Sequence, residues 1–190
     1  IGSSFIAGRQ HSNKEFLAST DAWSRPVNMY VGPDGALYVL DYYRRIIEHP
    51  EWMSDEAIAA GNLYDGYNMG RIYRITPTGT KAANWTKGLA LGSATTEQLV
   101  DYLDDKNIWW RQNAQRLLVD RKDKTAIPAL VKMSENQDAP LGRLHALWTL
   151  EGMGELSSEL IKKALHDTVA GVRENAVKLA ELHLTTSPEL

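Results

Sequence analysis

Three arginines, each followed three residues later by an alanine, recur along the second half of the chain: Arg111 and Ala114, Arg143 and Ala146, Arg173 and Ala176, with spacings of 32 and 30 residues. A recurrence of this length means that one supersecondary unit is repeated, each copy burying its apolar face on the next. Positions three apart lie on the same face of a helix, so the small alanine sits where a packed neighbour approaches closely. Each copy has the same plan. Leu99–Leu103 leads through a polar turn at Asp104–Asn107 into Trp110–Ala114. Ala129–Met133 leads into Gly142–Ala146 through a turn holding Asn136, Asp138 and Pro140, and Leu160–Leu165 leads into Val172–Ala176 with Asp167 in the turn. Three helix pairs are expected over residues 96–184, with a short tail at 185–190.

The first half has another period. Up to about Asn84, short runs of β-branched and aromatic residues alternate with turn residues, Pro26, Pro33, Pro50 and Pro77 among them. Val27–Val31, the turn Gly32-Pro33-Asp34-Gly35 and Ala36–Asp41 read as a β-hairpin, and Arg71–Ile75 as a third strand. Phe5–Ala7 and Glu15–Leu17 offer further short strands. So few strands make a weak sheet alone, and small meanders with open edges are the units from which propeller blades are built. The expectation is an α+β multidomain chain: the last blade of a partial β-propeller at 1–84, a linker at 85–95, and an α-solenoid of helical repeats.

Composition narrows the chemistry. With no cysteine, disulfides, thiolate metal sites, thiol nucleophiles and a C-x-x-C-H haem attachment are excluded within these residues. A net charge of −3 gives no global basic field, so nucleic acid is not expected as a partner. No apolar run is long enough to span a bilayer. Because the chain starts at Ile1, it reads as a processed or partial product.

The two ends of a hairpin's strands meet opposite its turn, which puts Ser24–Asn28 and Asp41–Arg45 on one rim. The connection from Tyr42 to about Gly70 is long for a meander and carries Tyr42, Tyr43, Arg44, Arg45, Glu48, His49, Glu51 and Trp52. Aromatic, cationic and acidic groups together could hold a polar ligand. The plainer alternative is that Arg44 and Arg45 pair with Glu48 across one turn of a short helix stopped by Pro50, while Trp52 covers the blade. His49 has no second histidine at ligand spacing, so no metal site is assigned, and no residue is given a catalytic role. The repeated arginines read as structural, Trp148 as core, and Trp109 and Trp110 as a seal between the first repeat and the β part.

The repeat plan, with its Val172-Arg173-x-x-Ala176 form in the third copy, resembles the HEAT repeat family. Its surface is expected to offer a protein partner a docking face, or to act as a spacer. Trp23–Asn28, Val31–Asp41, Tyr43-Arg44, Ile47-Glu48-His49-Pro50 and Gly70–Ile75 resemble the last blade of bacterial membrane-bound dehydrogenase-type propellers, which are similar to quinoprotein sugar dehydrogenases. The resemblance implies part of an exported oxidoreductase, periplasmic or at the cell surface, inactive alone and completed by upstream propeller blades. It also implies pyrroloquinoline quinone (PQQ) with calcium in the full-length protein and haem in a separate domain, with no cofactor held by this chain alone. Arg25, Tyr43, Arg44 and His49 would then line the mouth of the channel as cofactor-binding residues. The alternative is a non-catalytic protein-interaction module.

Overall fold

Two residue types set the hairpin that organises the first part of the chain. Gly35 takes a left-handed conformation, φ 76°, that the missing Cβ makes accessible. Asp34 then locks the turn. Its fully buried carboxylate accepts from the Ala36 N–H at 3.1 Å, the Tyr38 hydroxyl at 3.1 Å and Arg74 Nε at 2.7 Å. Burial pushes the Asp34 carboxyl up, but these donors outweigh it and leave the group below the usual carboxylate range. Gly32 is required for a different reason: a Cβ there would lie 2.3 Å from the Tyr38 ring.

The computed structural model describes residues 8–80, 89–188 and 190, and the chain divides between residues 84 and 85 into two units. In the first unit, strands β1 (Pro26–Val31), β2 (Leu37–Asp41) and β3 (Arg71–Ile75) form one antiparallel sheet in sequence order. Met29 faces Val39 and Val39 faces Tyr73, which places these three on one face, while Tyr30, Tyr38 and Arg74 share the other. Val39, at 1% exposure, is the centre of what the sheet buries. The connection from β2 to β3 carries a 3-10 turn at Pro50–Trp52, helix α1 (Asp55–Ala59) capped by the Ser54 hydroxyl, and a second 3-10 turn at Asn62–Tyr64.

The second unit is helical. Thr95 and Gln98 form a capping box that starts α2 (Thr96–Asp101), Asn107 caps α3 (Ile108–Arg121), and Ser157 caps α6 (Ser158–Leu165). Pro128 and Pro140 occupy first-turn positions of α4 (Ile127–Ser134) and α5 (Pro140–Met153), where a missing N–H costs nothing. Gly154, at φ 76°, ends α5. The last helix is α7 (Ala170–His183). One core joins all of them, with Leu99, Leu103, Leu118, Leu130, Leu147, Leu150, Ile161 and Leu179 at 1% exposure or less. Each such side chain contributes about 1.5–3 kcal/mol by leaving water.

The expected fold class is corrected by this architecture. Among the described residues there is a small mixed α/β arrangement, a three-stranded antiparallel sheet with seven helices, and neither a propeller blade nor a solenoid is formed. Only three strands pair, and Glu15–Leu17 runs through bends rather than a fourth; Phe5–Ala7 lies outside the described residues. The helix pairs do form, but α2, α4 and α6 are only six, eight and eight residues long, and the pairs close over a single core. Of the expected linker, Leu91–Ser93 makes a 3-10 turn, held by Arg121 donating to the carbonyls of Ala94 at 2.7 Å and Gly92 at 2.8 Å. No helix of the described residues is long and apolar enough to cross a membrane.

Candidate functional site

Asp41 ends β2 and is buried, at 3% exposure, among neutral donors. One carboxylate oxygen accepts the N–H groups of Arg25 at 2.8 Å and Tyr43 at 2.9 Å, and the other accepts the hydroxyls of Ser24 and Tyr73, each at 3.2 Å. Burial pushes the Asp41 carboxyl up, and the two N–H groups and two hydroxyls more than reverse this, so it titrates below the usual range. These bonds fix the strand ends and the backbone that carries the candidate residues.

Tyr43 follows in a left-handed conformation, φ 48°, unusual for a residue with a side chain. Its ring is buried, lies 5.9 Å from that of Trp23, and is covered by the Arg71 guanidinium at 3.8 Å. Its hydroxyl donates to Asp21 at 2.7 Å, and that bond raises the Tyr43 pKa; the Trp23 N–H and then the Tyr43 hydroxyl lower that of Asp21. Arg44 donates to the carbonyls of Gly66 and of Tyr67, the latter at 3.1 Å, and stacks on Tyr42 at 4.5 Å. Arg25 donates to the carbonyls of Ala22, of Ser24 at 2.9 Å and of Arg45 at 3.3 Å.

Arg25, Tyr43 and Arg44 are therefore gathered at the Asp41 end of the sheet, but with their polar groups turned onto the protein's own loops. His49 is not among them. Its side chain is 62% exposed, its Nδ1 lies 3.8 Å from Glu51, and no hydrogen bond or ion pair among the described residues joins it to the other three. The described residues contain no cluster of His, Asp and Glu suited to a metal ion. The alternative pairing differs as well. Arg45 pairs with Asp65 at 3.3 Å, Glu48 accepts the His49 N–H, and Pro50 opens a 3-10 turn instead of stopping a helix. Trp52 is 79% exposed and covers nothing.

In the helical unit the recurring arginines each clamp the turn before their own helix. Arg111 donates to the carbonyls of Asp105 and Lys106, Arg143 to those of Asn136 and Gln137, and Arg173 to those of Asp167 and Thr168. What each does with the rest of its guanidinium differs. Arg143, 1% exposed, holds Asp167 in a two-pronged pair at 2.8 and 2.9 Å. Arg111, 7% exposed, donates its Nε–H to His145 Nε2 at 3.2 Å.

A guanidinium nitrogen only donates, so His145 Nε2 accepts and its proton sits on Nδ1, which faces the Gln115 carbonyl oxygen at 2.7 Å. Burial first, and the Arg111 charge second, push His145 down to about 4. Burial likewise holds Arg111 below its ordinary value against the carboxylates of Asp105 and Asp104. His145 does not stand out by sequence spacing. The signal for Asp167 is that Asp105, Asn136 and Asp167 recur at an interval of 31 residues, each accepting the N–H two residues on. Asn136 is the neutral member, and Arg111 turns to His145 instead.

Among the described residues, β1 and β3 form the open edges of the sheet. All six residues of β1 are exposed, with Val27 and Met29 at 58% and Tyr30 at 60%, and Ile72 on β3 is exposed at 66%.

Residues 1–79 match the family described as "Domain of unknown function (DUF7133)". No curated protein and no solved structure matches the chain.

Proposed function

We propose that this chain is a non-catalytic protein-interaction module. The observation that carries this reading is strand β1, which carries no charged residue, is exposed along all six residues and, among the described residues, is paired on one side only. An edge strand without charged residues is a template for another strand, and proteins that leave such an edge bare use it or aggregate. Val27, Met29, Tyr30 and Val31 supply side chains on both faces for a partner strand to grip, and Ile72 extends the apolar surface across the sheet. The test uses the chain itself. Sedimentation velocity and binding of an apolar fluorescent dye should both report the exposed edge, and Met29→Lys with Ile72→Lys should suppress both while leaving the circular dichroism spectrum unchanged. A wild-type chain that matches the double variant in both measurements would defeat the proposal.

A second reading rests on the resemblance to membrane-bound dehydrogenase-type proteins, with the convergence of Arg25, Arg44 and Arg71 at the Asp41 end of β2 in its favour. Here the chain serves an exported, periplasmic or cell-surface oxidoreductase as a part inactive by itself, with PQQ, calcium and haem held outside this chain. The assay is dye-linked oxidation of sugars and alcohols by the longer protein with added quinone and calcium. Turnover that requires the quinone supports it, and none under those conditions removes it.

A further inference from the structure

The way α5 receives the following helix pair defines a set of contacts that α7 repeats without an occupant among the described residues. Four α5 positions face the α6–α7 pair. Arg143 grips Asp167 in the α6–α7 turn, Leu147 is 1% exposed, Trp148 Nε1–H donates to Asn175 at 3.0 Å, and Glu151 meets His183 at 2.6 Å. α3 uses the same face toward α5, since Arg111 and Gln115, four residues apart, both bond to His145.

Thirty residues beyond the α5 set stand Arg173, Val177, Lys178 and Glu181 on α7. All four are exposed, and Val177, the counterpart of Leu147, is 59% exposed. The contrast is sharpest at the arginine. Arg173 clamps its own turn through Nη1, as Arg143 does, but the Nε and Nη2 edge that Arg143 turns onto Asp167 has no hydrogen bond from Arg173 among the described residues. A planar donor fork beside an exposed apolar position favours a carboxylate in one orientation. Leu184, 48% exposed at the end of the helix, lengthens the apolar part of the surface.

We propose that this face of α7 docks a helical hairpin from outside these residues, one whose connecting turn carries an aspartate or glutamate for Arg173 and whose second helix lays an apolar side chain over Val177. The charge match and the continuity with the α5 interface select this occupant over an extended strand, which would not bring a turn carboxylate to the fork. The surface is independent of the β1 edge.

A probe can be cut from the chain itself, because residues 154–190 are what α5 already accepts. A second copy of 154–190 placed directly after His183 preserves the thirty-residue offset and offers α7 its own natural hairpin. In this extended chain, unfolding by urea should remain a single transition with a steeper dependence on urea than the parent. Arg173→Ala should raise the unfolding equilibrium constant by on the order of a hundredfold in the extended chain, as expected for breaking a buried pair, and by less than about threefold in the parent. Val177→Glu, at a position exposed in the parent, should split the appended hairpin into a separate transition. A hairpin that melts independently in the unsubstituted extended chain, or an Arg173→Ala effect equal in both chains, would overturn the proposal. So would a parent chain that dimerises in sedimentation velocity and becomes monomeric with Val177→Glu, because the occupant would then be a second copy.

Discussion

Each unit is organised around a buried aspartate, and the two solve the same electrostatic problem in opposite ways. Asp167 in the helical unit, with its side chain 6% exposed, is met by the charged fork of Arg143. Asp41 in the sheet unit, 3% exposed, is met among the described residues by four neutral donors and no hydrogen-bonded cation. A charge pair in a dry site carries large desolvation costs on both partners, and its removal one partner at a time is correspondingly expensive. A carboxylate held by N–H and O–H groups loses its bonds in smaller steps. The helical unit should therefore fail abruptly when one residue changes, and the sheet unit gradually.

The largest effect is expected from Arg143→Ala, which leaves Asp167 buried without its counter-charge and unclamps the Asn136–Gln137 turn. A loss of about 3–5 kcal/mol in urea unfolding is expected. Arg111→Ala, with His145 rather than a carboxylate across from it, should cost about 2 kcal/mol, the scale for leaving buried neutral groups unpaired. Equal losses at the two sites would contradict the distinction between them.

Next comes pH. His145 is held neutral when folded, with its pKa pushed down to about 4 from an ordinary 6.5. Between those values the unfolded chain binds a proton that the folded chain refuses, so stability is lost as pH falls from 6.5 and the loss levels off near 4. The full shift corresponds to about 3 kcal/mol. His145→Gln should flatten the stability profile between pH 6.5 and 4 while leaving the profile below 4 parallel to wild type.

Asp41→Asn should cost less, about 1–2 kcal/mol, because the retained oxygen can keep the Arg25 and Tyr43 N–H groups while only the two hydroxyls must turn to accept. Amide exchange should quicken at Arg25 and Tyr43 ahead of the rest of the sheet. Protection unchanged at both would mean that Asp41 does not organise that end.

How legible these features were follows from their range. The hairpin is written locally, in Pro33-Asp34-Gly35 between two apolar runs, and the helix pairs in a recurrence of arginine and alanine. Both depend on residues within a few turns of one another. The larger assembly inferred from them was not, because counting strands depends on which edges are filled, and among the described residues β1 and β3 are edges. Hairpin geometry brings Arg25, Tyr43 and Arg44 to one end, but which way a guanidinium turns depends on carbonyls 20 or more residues away, at Arg45, Gly66 and Tyr67. Asp167 and His145 pair across 24 and 34 residues, where spacing alone gives no instruction beyond the 31-residue interval of the Asx turns.

The smallest effect is expected at Arg44, and it discriminates between two roles for the 42–70 connection. Arg44 ties the connection's start to its end through the Gly66 and Tyr67 carbonyls, and Gly66 itself admits no Cβ, which would fall 2.7 Å from the Tyr43 carbonyl oxygen. Arg44→Ala removes partly exposed bonds, so global stability should drop by about 1 kcal/mol or less. Its signature should be local: faster proteolysis between Pro50 and Gly66, and faster exchange of the Arg45 N–H, which donates to Asp65 at 3.4 Å. If instead the substitution leaves proteolysis and exchange untouched but weakens quinone binding by the longer protein, Arg44 belongs to a ligand rather than to its own loop.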